Sequence, residues 1–297
     1  MLFVYSVIPM EILISGLLLS ANYALIAMGL TLQYGVARIM NLANGEMLVA
    51  GAFGGFWVST VLHLNPYVAL VFVVPGAFVF NWLAYRYLLR PLVRRAKNRG
   101  MLEVDSILAT FGMSFALVGI MVAAFGGGFF TYSFLAVPFD IFGSTYGLNR
   151  VVGGAVAVAI CALLYLGLNN TRTGMAVRAV AADPASAGLV AIDVPRMSAF
   201  AFSLGGAVTA AGGIMLSTFL TLDASSGVIF TMKALIIVIM GGVGDVRGAI
   251  LAALILGLAE TAVATLIDPG LTLAAAYLLF VLVLLFRPQG IYGRRAA

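Results

Sequence analysis

The sequence predicts an all-α protein: a polytopic bundle of about eight or nine membrane-spanning helices in a single domain, residues 1–297. Three observations predict it. Apolar residues make up 63% of the chain and charged residues only 9%, against roughly 25% charged in ordinary soluble domains. The few charges sit at the ends of long apolar runs. No polar stretch is long enough to fold as a separate soluble domain.

The spans follow in chain order. Ile12–Ala37 is the first, and MLFVYSVIPMEIL ahead of it lacks the basic start and small-residue cleavage site of a removable signal. Met47–Tyr85 is too long for one crossing, and Asn65-Pro66 breaks it into spans near 47–62 and 67–86. Ser106–Phe139 holds one span, to about Phe125; Gly126-Gly127-Gly128 then opens a long loop reaching Arg150. Val151–Thr171, Met197–Leu222 and Pro269–Phe286 each supply one more. Charges cut residues 224–268 into short apolar pieces around GGVGDVRG, giving two shorter spans near 229–243 and 248–267. Eight spans plus a re-entrant piece is the alternative.

Lysine and arginine set the orientation. With the linker Arg86–Arg99, the segment around Arg172–Arg196 and the C-terminal tail all inside, only Arg150 and Lys233 of the 16 cations fall outside. The N-terminus is then expected outside and the C-terminus in the cytoplasm. Gly-rich interruptions at Asn41–Gly45 and Gly241–Gly248 raise the expectation of an inverted repeat with broken helices. Small residues four apart (Gly16, Ser20, Ala24; Gly51, Gly55; Gly205, Thr209; Gly206, Ala210) mark faces where helix backbones approach closely, for intramolecular packing or a subunit interface.

The polar segment 171–196 carries more punctuation than a solvated linker needs. Thr173 can cap a short helix, Gly174–Ala182. Asp183-Pro184 is an N-cap followed by proline in the first turn, starting a second helix to Ala191. Val194-Pro195 opens the next apolar run. This describes either a rigid knob held against a partner or a plain interfacial helix.

Ionisable groups inside the membrane are functional candidates by default, because burying them unpaired is costly. If its helix starts at Gly248, Glu260 lies roughly 18 Å in, near mid-membrane. It can line a hydrated path or pair with a buried donor and brace the bundle. Asn44 reads as an N-cap, with Glu46 in the first turn facing the positive end of the helix dipole or, alternatively, a polar substrate group. Asn41 shares that break. Asn22 and Tyr23, in the middle of the first span, need partners or lumen water. Lys233 is expected to snorkel to the outer interface. Asp245 and Arg247 bracket a turn at the inner face.

Other chemistry is excluded or unsupported. No GxxxxGK[ST] phosphate loop, Ser-His-Asp set, zinc spacing or GxSxG elbow occurs. The single Cys161 and single His63 make an internal disulfide impossible and a metal site unexpected. The net charge of +5 reflects cations at span ends, not nucleic-acid binding.

Four stretches, in order, carry a family resemblance: AMGLTLQYGVARIMNLANGEMLVAGAF (Ala27–Phe53), AVRAVAADPASAGLVAIDVPRMSAFAFSLGGAVTAAGGIM (Ala176–Met215), GGVGDVRGAILAALILGLAE (Gly241–Glu260) and LFRPQGIYG (Leu285–Gly293). The sequence resembles the permease subunits of bacterial branched-chain amino acid ABC importers. The resemblance implies a multi-pass inner-membrane protein that is not itself an enzyme. It implies a homologous second permease, two cytoplasmic ATPases that hold the ATP and Mg, and a periplasmic substrate-binding protein. It makes Asp183–Ile192 an ATPase-coupling helix, with Asp183, Pro184, Ala187, Gly188, Leu189 and Ile192 as its residues. Members commonly have histidine where this chain has Asn44; a cap survives that change, but a titratable ring does not. The family also takes urea, short amides and other amino or aromatic acids. A cation-coupled secondary transporter is the rival outside the family, and it would need paired deep charges where only Glu260 clearly qualifies.

Overall fold

The computed structural model describes residues 2–96, 98–141 and 144–293. Lys97, Arg294 and Arg295, three of the cations used for orientation, lie outside the described residues. Among the described residues twelve α-helices follow in order: α1 Leu2–Ala37, α2 Asn44–Thr60, α3 Ala69–Ala84, α4 Arg90–Arg95, α5 Arg99–Phe125, α6 Leu148–Asn170, α7 Arg172–Ala182, α8 Pro184–Leu189, α9 Val194–Ser217, α10 Gly227–Gly241, α11 Val246–Leu266 and α12 Thr272–Phe286. Seven helical stretches among the described residues are long and apolar enough to cross a membrane. The shorter α2 and α10 complete the bundle.

Each stretch expected to span coincides with a helix, with shifted ends. α3 does not stop at Tyr85. It continues through a widened π-turn, Tyr85–Leu89, into α4. Pro91 has no N–H to bond the preceding turn, and the ladder opens there. The basic linker is therefore mostly helix, and α5 starts at Arg99 rather than near Ser106, capped by the Asn98 side chain, which accepts from Met101 N–H.

The all-α expectation needs one correction. The loop after α5 holds a two-stranded antiparallel sheet, β1 Pro138–Ile141 and β2 Ser144–Gly147, with Phe139 opposite Tyr146 and Asp140 opposite Thr145. Phe, Ile, Thr and Tyr suit a pleated surface, and pairing satisfies backbone groups that no helix covers here.

α9 is the centre. About nine-tenths of its apolar window is buried, against 6% for α12. It packs on α1, α2 and α3, while α1 also lies along α11. Small residues permit this. A Cβ on Gly205 would sit 2.3 Å from the Gly29 carbonyl, so the two backbones touch where α1 and α9 cross. Gly51 meets Ala210, and Ser20 meets Gly257, in the same way. The small-residue faces thus serve packing within this chain.

The polar segment is folded as the caps suggest, with corrected bounds. Thr171, not Thr173, caps the first helix; its hydroxyl accepts from Gly174 N–H. Gly174 must follow closely, since its backbone lies against Gly167 and Leu168. Asp183 caps α8 by accepting from Ala185 N–H at 2.9 Å. α8 ends at Leu189, two residues earlier than expected, because Ala191 turns into the left-handed region at φ 61°. Asp193 caps α9 and accepts from Arg196 N–H.

A candidate translocation site at a helix break and a buried charge cluster

α1 ends at Ala37, and the chain runs without regular structure until α2 starts at Asn44. Arg38 takes a positive φ of 57° and its guanidinium donates to the Ala181 carbonyl at the end of α7. Irregular backbone inside a bundle survives only if its polar groups are satisfied by protein. Here they are. Leu42 N–H donates to Thr110 Oγ1, whose hydroxyl faces the Met40 carbonyl. Ala43 N–H donates to Asn41 Oδ1, and Gly45 N–H to Thr231 Oγ1. Asn41 Nδ2 donates to Gln33 Oε1 at 2.9 Å, and Gln33 Nε2 donates to the Phe202 carbonyl.

Asn44 is not the cap. α2 starts at Asn44 itself, preceded by Ala43, which makes no side-chain cap bond. The Asn44 side chain turns into the bundle instead, where its Oδ1 accepts from Thr209 Oγ1 at 3.0 Å. α9 lies so near that this buried partner wins over the local backbone. Glu46 does occupy the first turn of α2. Its Oε1 accepts from Ser114 Oγ at 2.5 Å, and Oε2 has no partner among the described residues. The side chain is fully buried. A Cβ on Gly227 would come within 2.2 Å of Oε2, so the carboxylate lies against the first residue of α10.

The second cluster joins α1, α10 and α11. Lys233 does not snorkel outward. Its ammonium donates to Glu260 Oε2 at 2.7 Å and to Tyr23 Oη at 2.6 Å, and Tyr23 donates to the same Glu260 oxygen at 2.7 Å. The Lys233 side chain is 12% exposed and that of Glu260 3%. A buried carboxylate with an ammonium in reach outweighs the pull of the interface, because either charge alone would be left desolvated. This supports the bracing reading of Glu260. Asn22 is buried one residue away and donates to the Leu18 carbonyl in its own helix.

All six pathway candidates are thus buried, Asn41, Asn44 and Glu46 at the break between α1 and α2, and Asn22, Tyr23 and Glu260 within α1 and α11. Residue reading missed Gln33, Thr110, Ser114, Thr209 and Thr231 as partners. Thr110 and Ser114 are four apart on one helical face, a readable signal; nothing in the sequence ties Thr231 to Gly45. Next to the first cluster, Met47, Gly51, Val73, Gly76 and Ala210 line an almost wholly apolar cavity of about 290 Å3 between α2, α3 and α9. Asn81 donates to Met47 Sδ at 3.2 Å, and its Oδ1 has no partner among the described residues.

The knob sorts the six coupling candidates. Ala187 is buried, and Ile192 packs against the core beside it. Leu189 is 89% exposed and Val190 69%. Gly188 is exposed, and an added Cβ there would meet nothing. Asp183 and Pro184 start the helix. Val190 is a further exposed apolar residue that the sequence did not single out.

A multi-pass helical bundle with broken helices, buried charges and an exposed apolar knob has the build of a membrane transport subunit. Residues 12–286 match the model of the branched-chain amino acid transport system permease component, and the chain belongs to that family. It is 28% identical over 295 residues to the high-affinity branched-chain amino acid transport system permease protein LivH of Salmonella typhimurium, covering 94% of both chains. It is 29% identical over 298 residues to BraD of Pseudomonas aeruginosa, named for the same system, covering 95% of both. PsaBC from Streptococcus pneumoniae, solved in complex with a Fab, shares the fold with a TM-score of 0.51 at 11% identity, over 95% of this chain and 94% of that one.

Proposed function

We propose that this chain is the pore-forming permease of an ATP-driven importer for branched-chain amino acids. It pairs with a homologous second permease, receives cargo from a periplasmic binding protein and is moved by two cytoplasmic ATPases that hold the ATP and Mg. It crosses the bacterial inner membrane about nine times, with the N-terminus outside and the C-terminus inside. One observation carries the reading: a capped helix, α8, at the arginine-rich end of the bundle presents Leu189 and Val190 to the outside. Exposed apolar side chains on a rigid knob fit a groove on a partner. α7 and α9 anchor the knob, so a push on α8 reaches the most buried helix.

The cargo path follows from the same frame. The apolar cavity beside α2 suits aliphatic side chains, and the break at Asn41–Glu46 supplies polar atoms for their charged ends. A Gly188→Glu substitution tests the docking role, since nothing in the chain crowds Gly188. The variant should fold and reach the membrane normally, lose co-purification with the ATPases and lose uptake at least about tenfold. Uptake at the parental rate would refute the docking role.

A further inference from the structure

A second cavity lies at the end of the bundle that carries α7. It measures about 380 Å3 and is walled by the last turns of α1, the end of α6, α7, the start of α11 and Tyr292 of the tail. Its lining is unlike that of the cavity beside α2. Arg178 from α7 and Arg247 from α11 both face it, as does Asp245. Leu32, Leu168 and Val177 form aliphatic walls.

The charged groups there are not used up. Arg178 donates to the Asn169 carbonyl and Arg247 to Tyr165 Oη, one bond each from five N–H donors. Asp245 accepts two backbone N–H groups on Oδ1. Among the described residues none of the three is in an ion pair. Thr31 of α1 completes the wall at 2% exposure, with its hydroxyl buried behind the surface of the space.

Two guanidiniums, one carboxylate and aliphatic walls match a small molecule carrying both charges and a branched apolar tail. A bare phosphate would be opposed by Asp245, and an aliphatic acid would leave Asp245 unanswered. We propose that this cavity is a regulatory site for a free aliphatic α-amino acid arriving from the α7 side of the membrane. The carboxylate lies between Arg178 and Arg247, the ammonium at Asp245 Oδ2, and the side chain on Leu168 and Val177. The inference rests on the proposed cargo and orientation, which make the occupant the imported product.

The effect follows from what the walls are. α7 leads directly into α8, whereas α1 and α11 belong to the packed bundle. An occupant touching both binds best in the arrangement seen here. By linkage it holds the permease in that arrangement and opposes any step in which α7 swings away. Product would then slow import, with no regulatory domain required.

The test uses the whole importer in liposomes with the ATPases facing out and leucine-loaded binding protein sealed inside. ATP hydrolysis is measured while leucine is added outside. Leucine at about 1 mM should lower the stimulated rate at least about threefold. Arg247→Gln and Arg178→Gln should each raise the leucine concentration needed at least about tenfold, both with the uninhibited rate unchanged. Normal stimulation with no effect of outside leucine overturns the site alone. Inhibition that is identical in both variants also overturns it, because leucine then acts elsewhere. Dependence on phosphatidylglycerol in the vesicles, lost in Arg247→Gln and without a leucine effect, assigns the cavity to lipid and overturns the proposal. Failure of loaded binding protein to stimulate at all removes the cargo reading, and this inference with it.

Discussion

Glu260 and Glu46 are both carboxylates buried in the bundle, and they are handled in opposite ways. Glu260 shares one oxygen with an ammonium and a phenol drawn from two other helices. Glu46 has a single hydroxyl, from Ser114, and a backbone pressed against its other oxygen. The first arrangement ties α1, α10 and α11 together around a neutralised charge. The second holds an acidic group with no cation within reach among the described residues, at a helix break, beside an apolar cavity. Compensation fits a brace, and under the proposed cargo path its lack leaves Glu46 as the group a ligand's charge would meet.

The largest expected effect comes from breaking the compensated pair. Lys233→Met leaves Glu260 buried alone and should cost about 3–5 kcal/mol. Adding Glu260→Gln should restore more than half of it. Denaturation of the purified permease in detergent measures both, and an additive double variant would show that the two groups do not act as a pair. Next is Gly227→Ala, which puts a methyl group against the Glu46 carboxylate and the start of α2. Crowding of a packed site should cost about 1–3 kcal/mol. A neutral result would mean that the contact between α2 and α10 is loose. Glu46→Gln comes third. Glutamine keeps the Ser114 bond, so stability should change by less than about 1 kcal/mol. Uptake should nevertheless fall, and unchanged uptake would make Glu46 structural.

The smallest effect lies outside the membrane, where a carboxylate is stabilised without burial. The Ser186 hydroxyl, then the backbone N–H groups of Ala185 and Ser186, hold the Asp183 carboxyl below its ordinary range. Its folded value is depressed, so the cap is fully present above the unfolded value of about 3.9 and is lost as pH falls through the lower folded one. Ser186→Ala should move that loss to higher pH. Hydrogen exchange at the Ala187 amide, which bonds the Asp183 carbonyl, reads it out. An unshifted profile would show that the serine contributes nothing.

Caps were legible because they are local. Asp183-Pro184, and the crowding of small residues four apart, need only the neighbouring turn to make sense. Asn44 shows where that logic stops. Asparagine before an apolar run is a good cap on local grounds, yet Thr209, 165 residues away, takes its oxygen. Lys233 failed in the same direction: snorkelling is the best choice for a lone lysine, and this lysine is not alone.

The sequence by itself determined that this protein lives in a membrane, roughly where most of its helices lie, and that a helical elbow interrupts them. Those properties depend on hydropathy and on bonds spanning one turn. The tertiary structure alone decided which buried polar groups meet. Inside a bundle a charge or an amide is satisfied by whatever helix lies beside it, and that neighbour is set by close backbone crossings between residues far apart in the chain.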